Sequence, residues 1–159
     1  MSEQHPTEYN PETHALAVTL PVVGIGDEFA IVAGYPDRSD TLTYLQGQVG
    51  GYVDAIEIVE PETGEVATLW IPDEGKITGQ HRNFLAEMVA THGGWQGREH
   101  GDWIAGPCVV TGHNPETGDT IGIESGWQHA LAFIIETYGV VLKAATDRAM
   151  VEKMQAPNN

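Results

Sequence analysis

Basic side chains are scarce in this sequence. Seven Lys and Arg stand against 23 Asp and Glu, a formal net charge of −16 over 159 residues. Binding a phosphate backbone needs clustered cations that displace counterions, and the seven present, from Arg38 to Lys153, are scattered. Direct nucleic-acid binding is therefore not expected. The acidity fits solubility, or a face that meets a basic host protein. An acidic imitation of DNA is the extreme version, and a charged fraction of only 19% weighs against it. Cysteine is nearly absent as well. Cys108 alone excludes an internal disulfide and fits a reducing, cytoplasmic setting. No apolar run approaches the roughly 18 residues that a membrane helix requires, so no membrane association is expected. The opening MSEQHPTEYNPETH has neither a basic start nor an apolar stretch. It is expected to be no signal peptide but a flexible polar leader over residues 1–14.

Recognisable catalytic spacings are missing too. Seven histidines are present, His5 to His129, but no pair sits four apart around a glutamate. Glu99, His100 and Asp102 are the nearest approach to a metal cluster, and neither a metal nor a cofactor is expected. Gly24-x-Gly26 lacks the third glycine and the lysine of a phosphate loop. Ser39 and Ser125 stand in helix-cap contexts, without the strand-to-helix elbow of a hydrolase serine. Cys108 lies in an apolar run, Ile104 to Val110, where burial raises a thiol's pKa and favours a structural role.

What remains is enough apolar residue, 41%, for one domain with a real core, expected over 15–155. His14–Leu20 and Glu28–Gly34 look like strands. Ser39 is positioned to cap a short helix with apolar positions Leu42, Leu45 and Val49, which Gly50-Gly51 ends. Tyr52–Val59 alternates apolar and acidic residues, as a half-buried strand does. Pro61-Glu62-Thr63-Gly64 then turns the chain into Val66–Ile71. The same four letters return as Pro115-Glu116-Thr117-Gly118, between Gly106–Gly112 and Thr120–Ile123. Proline presets one turn position and glycine takes the positive φ, so both are expected to be β-hairpins. A partial copy, Pro11-Glu12-Thr13, lacks the glycine; reuse of a local turn explains all three better than a domain repeat. Asn83–His92 is a helix that Asn83 itself can cap. Ser125 and Gln128 form a capping-box pattern before a long amphipathic helix, 125–154, with Trp127, Leu131, Ile134, Ile135 and Tyr138 at helical spacing. Gly139 inside it costs about 1 kcal/mol against alanine. The expected class is α+β: a small antiparallel or mixed sheet with two hairpins, packed by helices. The C-terminal helix covers one sheet face or joins copies into a homo-oligomer.

Three stretches occur in a fixed order. Leu45-Gln46 with Val49-Gly50-Gly51-Tyr52-Val53 comes first. Asp73-Glu74-Gly75-Lys76-Ile77-x-Gly79 and Asn83 follow, and then Asp102-x-Ile104-x-Gly106-x-x-x-Val110-x-Gly112. This order resembles domain-of-unknown-function family 3846 over residues 40–113. The resemblance implies a small bacterial domain, met in actinobacteria and firmicutes and in their phages and mobile elements, with no assigned activity. The sequence departs from the family pattern at Pro72, where asparagine is usual, and across Gln80-His81-Arg82 and Phe84, which replace the usual leucine-proline-x-asparagine-arginine continuation. A family binding site at those residues would be altered here. The first forty residues and the C-terminal helix lie outside the resemblance.

The expected function is binding without turnover, by a phage or mobile-element type protein that contacts a host protein or sequesters a small, nucleotide-like ligand. The candidate ligand residues are Glu74, Lys76, Asn83, Trp95, Asp102 and Trp103. Lysine offers an anion contact, the carboxylates orient polar groups, and the two tryptophans flank a polar loop that would hold a planar group. Asn83 would add an amide contact beside its capping role. No catalytic residue is assigned. The rival is a small hydrolase or nucleotide-modifying enzyme using Glu74, Lys76, His100 and Asp102.

Overall fold

The computed structural model describes residues 10–27 and 30–155. Six antiparallel strands form one sheet: β1 (Ala17–Leu20), β2 (Val32–Gly34), β3 (Val53–Val59), β4 (Val66–Pro72), β5 (Cys108–His113) and β6 (Thr120–Ile121). The order across the sheet is β2-β1-β5-β4-β3, with β6 also paired to β5. The expected class holds, and the sheet is antiparallel throughout.

Both hairpins form, and their turns share one hydrogen-bond plan. Gly64 N donates to Glu60 O and Glu60 N to Glu65 O; Gly118 N donates to Asn114 O and Asn114 N to Asp119 O. A side-chain oxygen closes each turn from inside, Glu60 Oε1 accepting from Glu62 N and Asn114 Oδ1 from Glu116 N. Gly64 and Gly118 take φ of 75° and 81°, the region where a Cβ is strained. The partial copy repeats the first half of this plan. Asn10 Oδ1 accepts from Glu12 N, and His14 N donates to Asn10 O. Residues 10–14 are tied to the chain after β2, with His14 bridging Asp37 and Arg38 Nη1 donating to Pro11 O. The first nine residues, and Glu28 and Phe29 of the expected second strand, lie outside the described residues.

Strand alternation sends side chains to two cores. Leu20, Ile58, Ala67, Leu69, Cys108 and Val110 face α2 (Phe84–His92) and α3 (Ser125–Gln155), meeting Leu85, Val89, Trp127, Leu131 and Tyr138. Ala17 and Val109 face the other way, onto Leu45 and Val49 of α1 (Thr41–Val49). Trp127 is 1% exposed, so its burial contributes about 2–3 kcal/mol of transfer free energy. At the C-terminal end of α2, His92 Nε2 meets the buried Glu60 carboxylate at 2.5 Å and stands edge-on to Trp127.

Two caps differ from expectation. Asp37, not Ser39, receives the amide at the start of a 3-10 turn (Arg38–Asp40) that leads into α1. Leu42 is exposed, and Thr41, Leu45 and Val49 form the buried stripe instead. At α3, Glu65 in the first hairpin takes Gly126 N and Trp127 N with its carboxylate, while Glu65 O accepts from the Trp127 indole. A carboxylate at a helix N-terminus satisfies free amides and meets the positive end of the dipole.

Candidate functional site

The chain turns at the end of β4, through Asp73-Glu74-Gly75-Lys76, and passes beside the segment 102–105. Gly75 makes this approach possible. A Cβ there would lie 2.7 Å from Ala105 O, a backbone atom that cannot rotate away. Between the turn and the segment lies a cleft of ≈ 290 Å³. Its walls include Lys76, Trp95, Asp102 and Trp103, so four of the six candidate ligand residues meet in one place. Ile56, Ile71 and Ile77 supply apolar surface, and Asp54 and Asp73 add carboxylates.

Within the cleft, Lys76 Nζ donates to Asp102 Oδ1 and sits 4.5 Å from the centre of the Trp103 ring, a cation–π distance. Asp102 Oδ1 also accepts from Trp103 N at 2.8 Å. The hydrogen bond from Lys76 holds the Asp102 carboxyl below the ordinary aspartate range. Trp103 is 42% exposed, leaving ring surface for a visitor, and Trp95 is half-buried.

The other two candidates fall elsewhere. Glu74 lines a separate, smaller cleft of ≈ 140 Å³ with Tyr52, Thr78 and Gln80. Asn83 is 0% exposed and every polar atom of its side chain is used. Its Oδ1 accepts from Ala86 N, capping α2 as expected, and its Nδ2 donates to Leu20 O and Gly106 O at 2.9 Å each. The amide thus joins β1, α2 and the approach to β5, and it lies outside the Lys76 cleft. Of the rival set, Lys76 and Asp102 meet in this cleft, and Glu74 and His100 are not among its lining residues. Cys108 is fully buried, and burial pushes its thiol far above the ordinary range. Among the described residues, no group of three or more His, Cys, Asp or Glu could hold a metal.

Sequence reasoning missed the residues that hold the cleft in shape. Glu87, on α2 and fully buried, receives Arg82 through two hydrogen bonds, at 2.6 and 2.8 Å. Arg98 Nε approaches the same carboxylate at 3.5 Å. Glu87 Oε2 also accepts from Ile104 N, which pins the segment carrying Asp102 and Trp103. The Arg82 guanidinium lies 4.6 Å from the Phe84 ring centre. Glu87 sits in an otherwise apolar helix, and only its five-residue offset from Arg82 was available as a signal. A larger, mostly apolar groove of ≈ 560 Å³, between Val23–Ile25, α2 and Tyr138–Leu142, contains none of the sequence-derived candidates.

A six-stranded antiparallel sheet, with α1 on one face and α2 and α3 on the other, places the protein in the α+β class. The family described as "Domain of unknown function (DUF3846)" matches residues 28–132, about two-thirds of the chain, and the chain belongs to that family. The match reaches further in both directions than the motifs alone, taking in β2 and the first turns of α3. Comparison with curated proteins and with solved structures yields no match. No helix among the described residues is long and apolar enough to cross a membrane.

Proposed function

We propose that this domain binds a small planar ligand without transforming it, in the cleft between Lys76, Trp95, Asp102 and Trp103. The observation that carries the proposal is the convergence of two tryptophans on a cleft whose one ammonium is already paired. The Lys76 ammonium is engaged on two sides, by the Asp102 carboxylate and by the Trp103 ring. It stiffens the rim and presents the Trp103 face. Asp54, Asp73 and Asp102 outnumber that single cation. Phosphate groups are repelled at such a rim, whereas a neutral or cationic planar group is accepted by stacking and by the carboxylates. The nucleotide-like ligand thus narrows to a base, nucleoside or planar cation.

Titration of the tryptophan fluorescence with adenosine, AMP and the planar cation N-methylquinolinium tests this. Quenching by adenosine or the cation, weaker for AMP, is expected, with affinity lowered about tenfold or more by Trp103→Ala. The ligand should be recovered intact. Chemical conversion of a probe, or equal responses from Trp103→Ala and the parent protein, would overturn the proposal.

The charge of −16 favours a second use, contact with a basic host protein by a phage or mobile-element product. Such a contact weakens steeply as salt rises. A salt-insensitive complex would remove it.

A further inference from the structure

We propose that α3 pairs antiparallel with α3 of a second copy of this chain. The helix has 31 residues, and its buried ones (Trp127, Leu131, Ile134 and Tyr138) all lie in its first half. From residue 139 to 155 no side chain is buried. Leu142 packs against the core and Thr146 Oγ1 accepts from Gly26 N; beyond those contacts a helical segment of that length is marginal in water, so a regular helix there calls for a cover.

The outer face carries the pattern of one. Phe133, Thr137, Val140 and Ala144, and then Val151 and Met154, fall on a strict alternation of three- and four-residue steps. That is a coiled-coil seam, on the side away from the core residues. Phe133, Val140 and Met154 are 70%, 66% and 81% exposed. Asp147 completes the alternation and is drawn aside by Lys143 at 3.0 Å.

Charge selects both the occupant and its direction. Residues 136–155 hold three acidic and three basic side chains, so this stretch is neutral in a chain of net −16. Two copies meet here without the repulsion their other faces would impose. Glu136 and Lys143 both flank the seam on the same side. Antiparallel pairing sets Glu136 of one copy against the basic side chain at 143 of the other, twice. Parallel pairing would set the charges at 143 and 148, both basic, against each other.

Sedimentation equilibrium of the full chain is expected to give twice the 17.2 kDa chain mass. Val140→Glu, at a position the monomer core does not use, should raise the dimer dissociation constant about tenfold or more without changing the circular dichroism of the fold. Met154→Glu should act in the same direction. Lys143→Glu should weaken the dimer, and the double variant Glu136→Lys with Lys143→Glu should restore it. A protein that stays monomeric at the highest attainable concentration overturns the inference, as does a dimer indifferent to Val140→Glu. A dimer strengthened by Lys143→Glu overturns the antiparallel arrangement. None of these outcomes depends on ligand binding at the Trp103 cleft.

Discussion

Asn83 illustrates how one side chain can be read correctly along the chain while most of its contacts stay hidden. Its place before an apolar helical run marks a cap, and the cap forms. Its other two bonds run to Leu20 O and Gly106 O, carbonyls 63 and 23 residues away, which no local pattern announces. Asn83→Ala removes the cap and leaves two buried carbonyls without a donor, so a loss of about 2–4 kcal/mol in urea unfolding is expected. Asn83→Asp keeps the capping oxygen but replaces the donor with a second acceptor facing those carbonyls. It should be no better tolerated at neutral pH, and less stable there than at acid pH, where a protonated carboxyl can donate. Glu60 is the second case. Burial raises its pKa, but hydrogen bonds from His92 and Glu62 N outweigh that, and the net value lies below the ordinary 4.5. A depressed carboxyl stabilises the fold fully above the unfolded value, and that contribution is lost as pH falls through the folded value. The stability difference between the parent and Glu60→Gln in chemical unfolding should therefore shrink between about pH 6 and about pH 3. Glu60→Gln should be less stable at the upper end and flatter towards acid.

Elements here are fastened by residues that belong to other elements. Glu65 in the first hairpin caps α3, and Glu87 in α2 holds the segment that presents Asp102 and Trp103. The Arg82–Glu87 pair is asymmetric. The carboxylate is fully buried, while the Arg82 side chain is 39% exposed. Removing the arginine strands a buried charge on its more distant partner Arg98; neutralising the glutamate leaves a guanidinium that water can reach. Arg82→Ala should therefore cost about 3 kcal/mol and Glu87→Gln about 1 kcal/mol, measured by thermal unfolding. Both should loosen the Trp103 segment, visible as faster hydrogen exchange at Ile104 N. The turns behave differently. Pro-Glu-Thr-Gly builds the same bonds at Glu60–Glu65 and Asn114–Asp119 because all its requirements are local: a preset φ, a side-chain acceptor and a glycine.

Across the whole molecule the excess of 16 negative charges acts as a uniform self-repulsion. At 0.1 M salt, interactions between exposed charges more than about 10 Å apart are largely screened. The midpoint of thermal unfolding should rise between low salt and about 0.5 M sodium chloride, whereas a fold held chiefly by surface ion pairs would lose stability over the same range. Two hairpins, α2, the long α3, the buried Cys108 and the α+β class were legible in the sequence, because periodicity, turn chemistry and burial preference act over a few residues. Of the six candidate ligand residues, Lys76, Trp95, Asp102 and Trp103 line one cleft; Lys76 lies in a family motif, and Trp95, Asp102 and Trp103 bracket one polar loop. The sheet order β2-β1-β5-β4-β3, the removal of Asn83 and Glu74 from the cleft, and the Glu87 and Glu65 anchors were decided only in three dimensions. Which strands become neighbours, and which buried polar group finds which partner, depends on contacts between residues tens of positions apart, and such pairings leave no periodic trace along the chain.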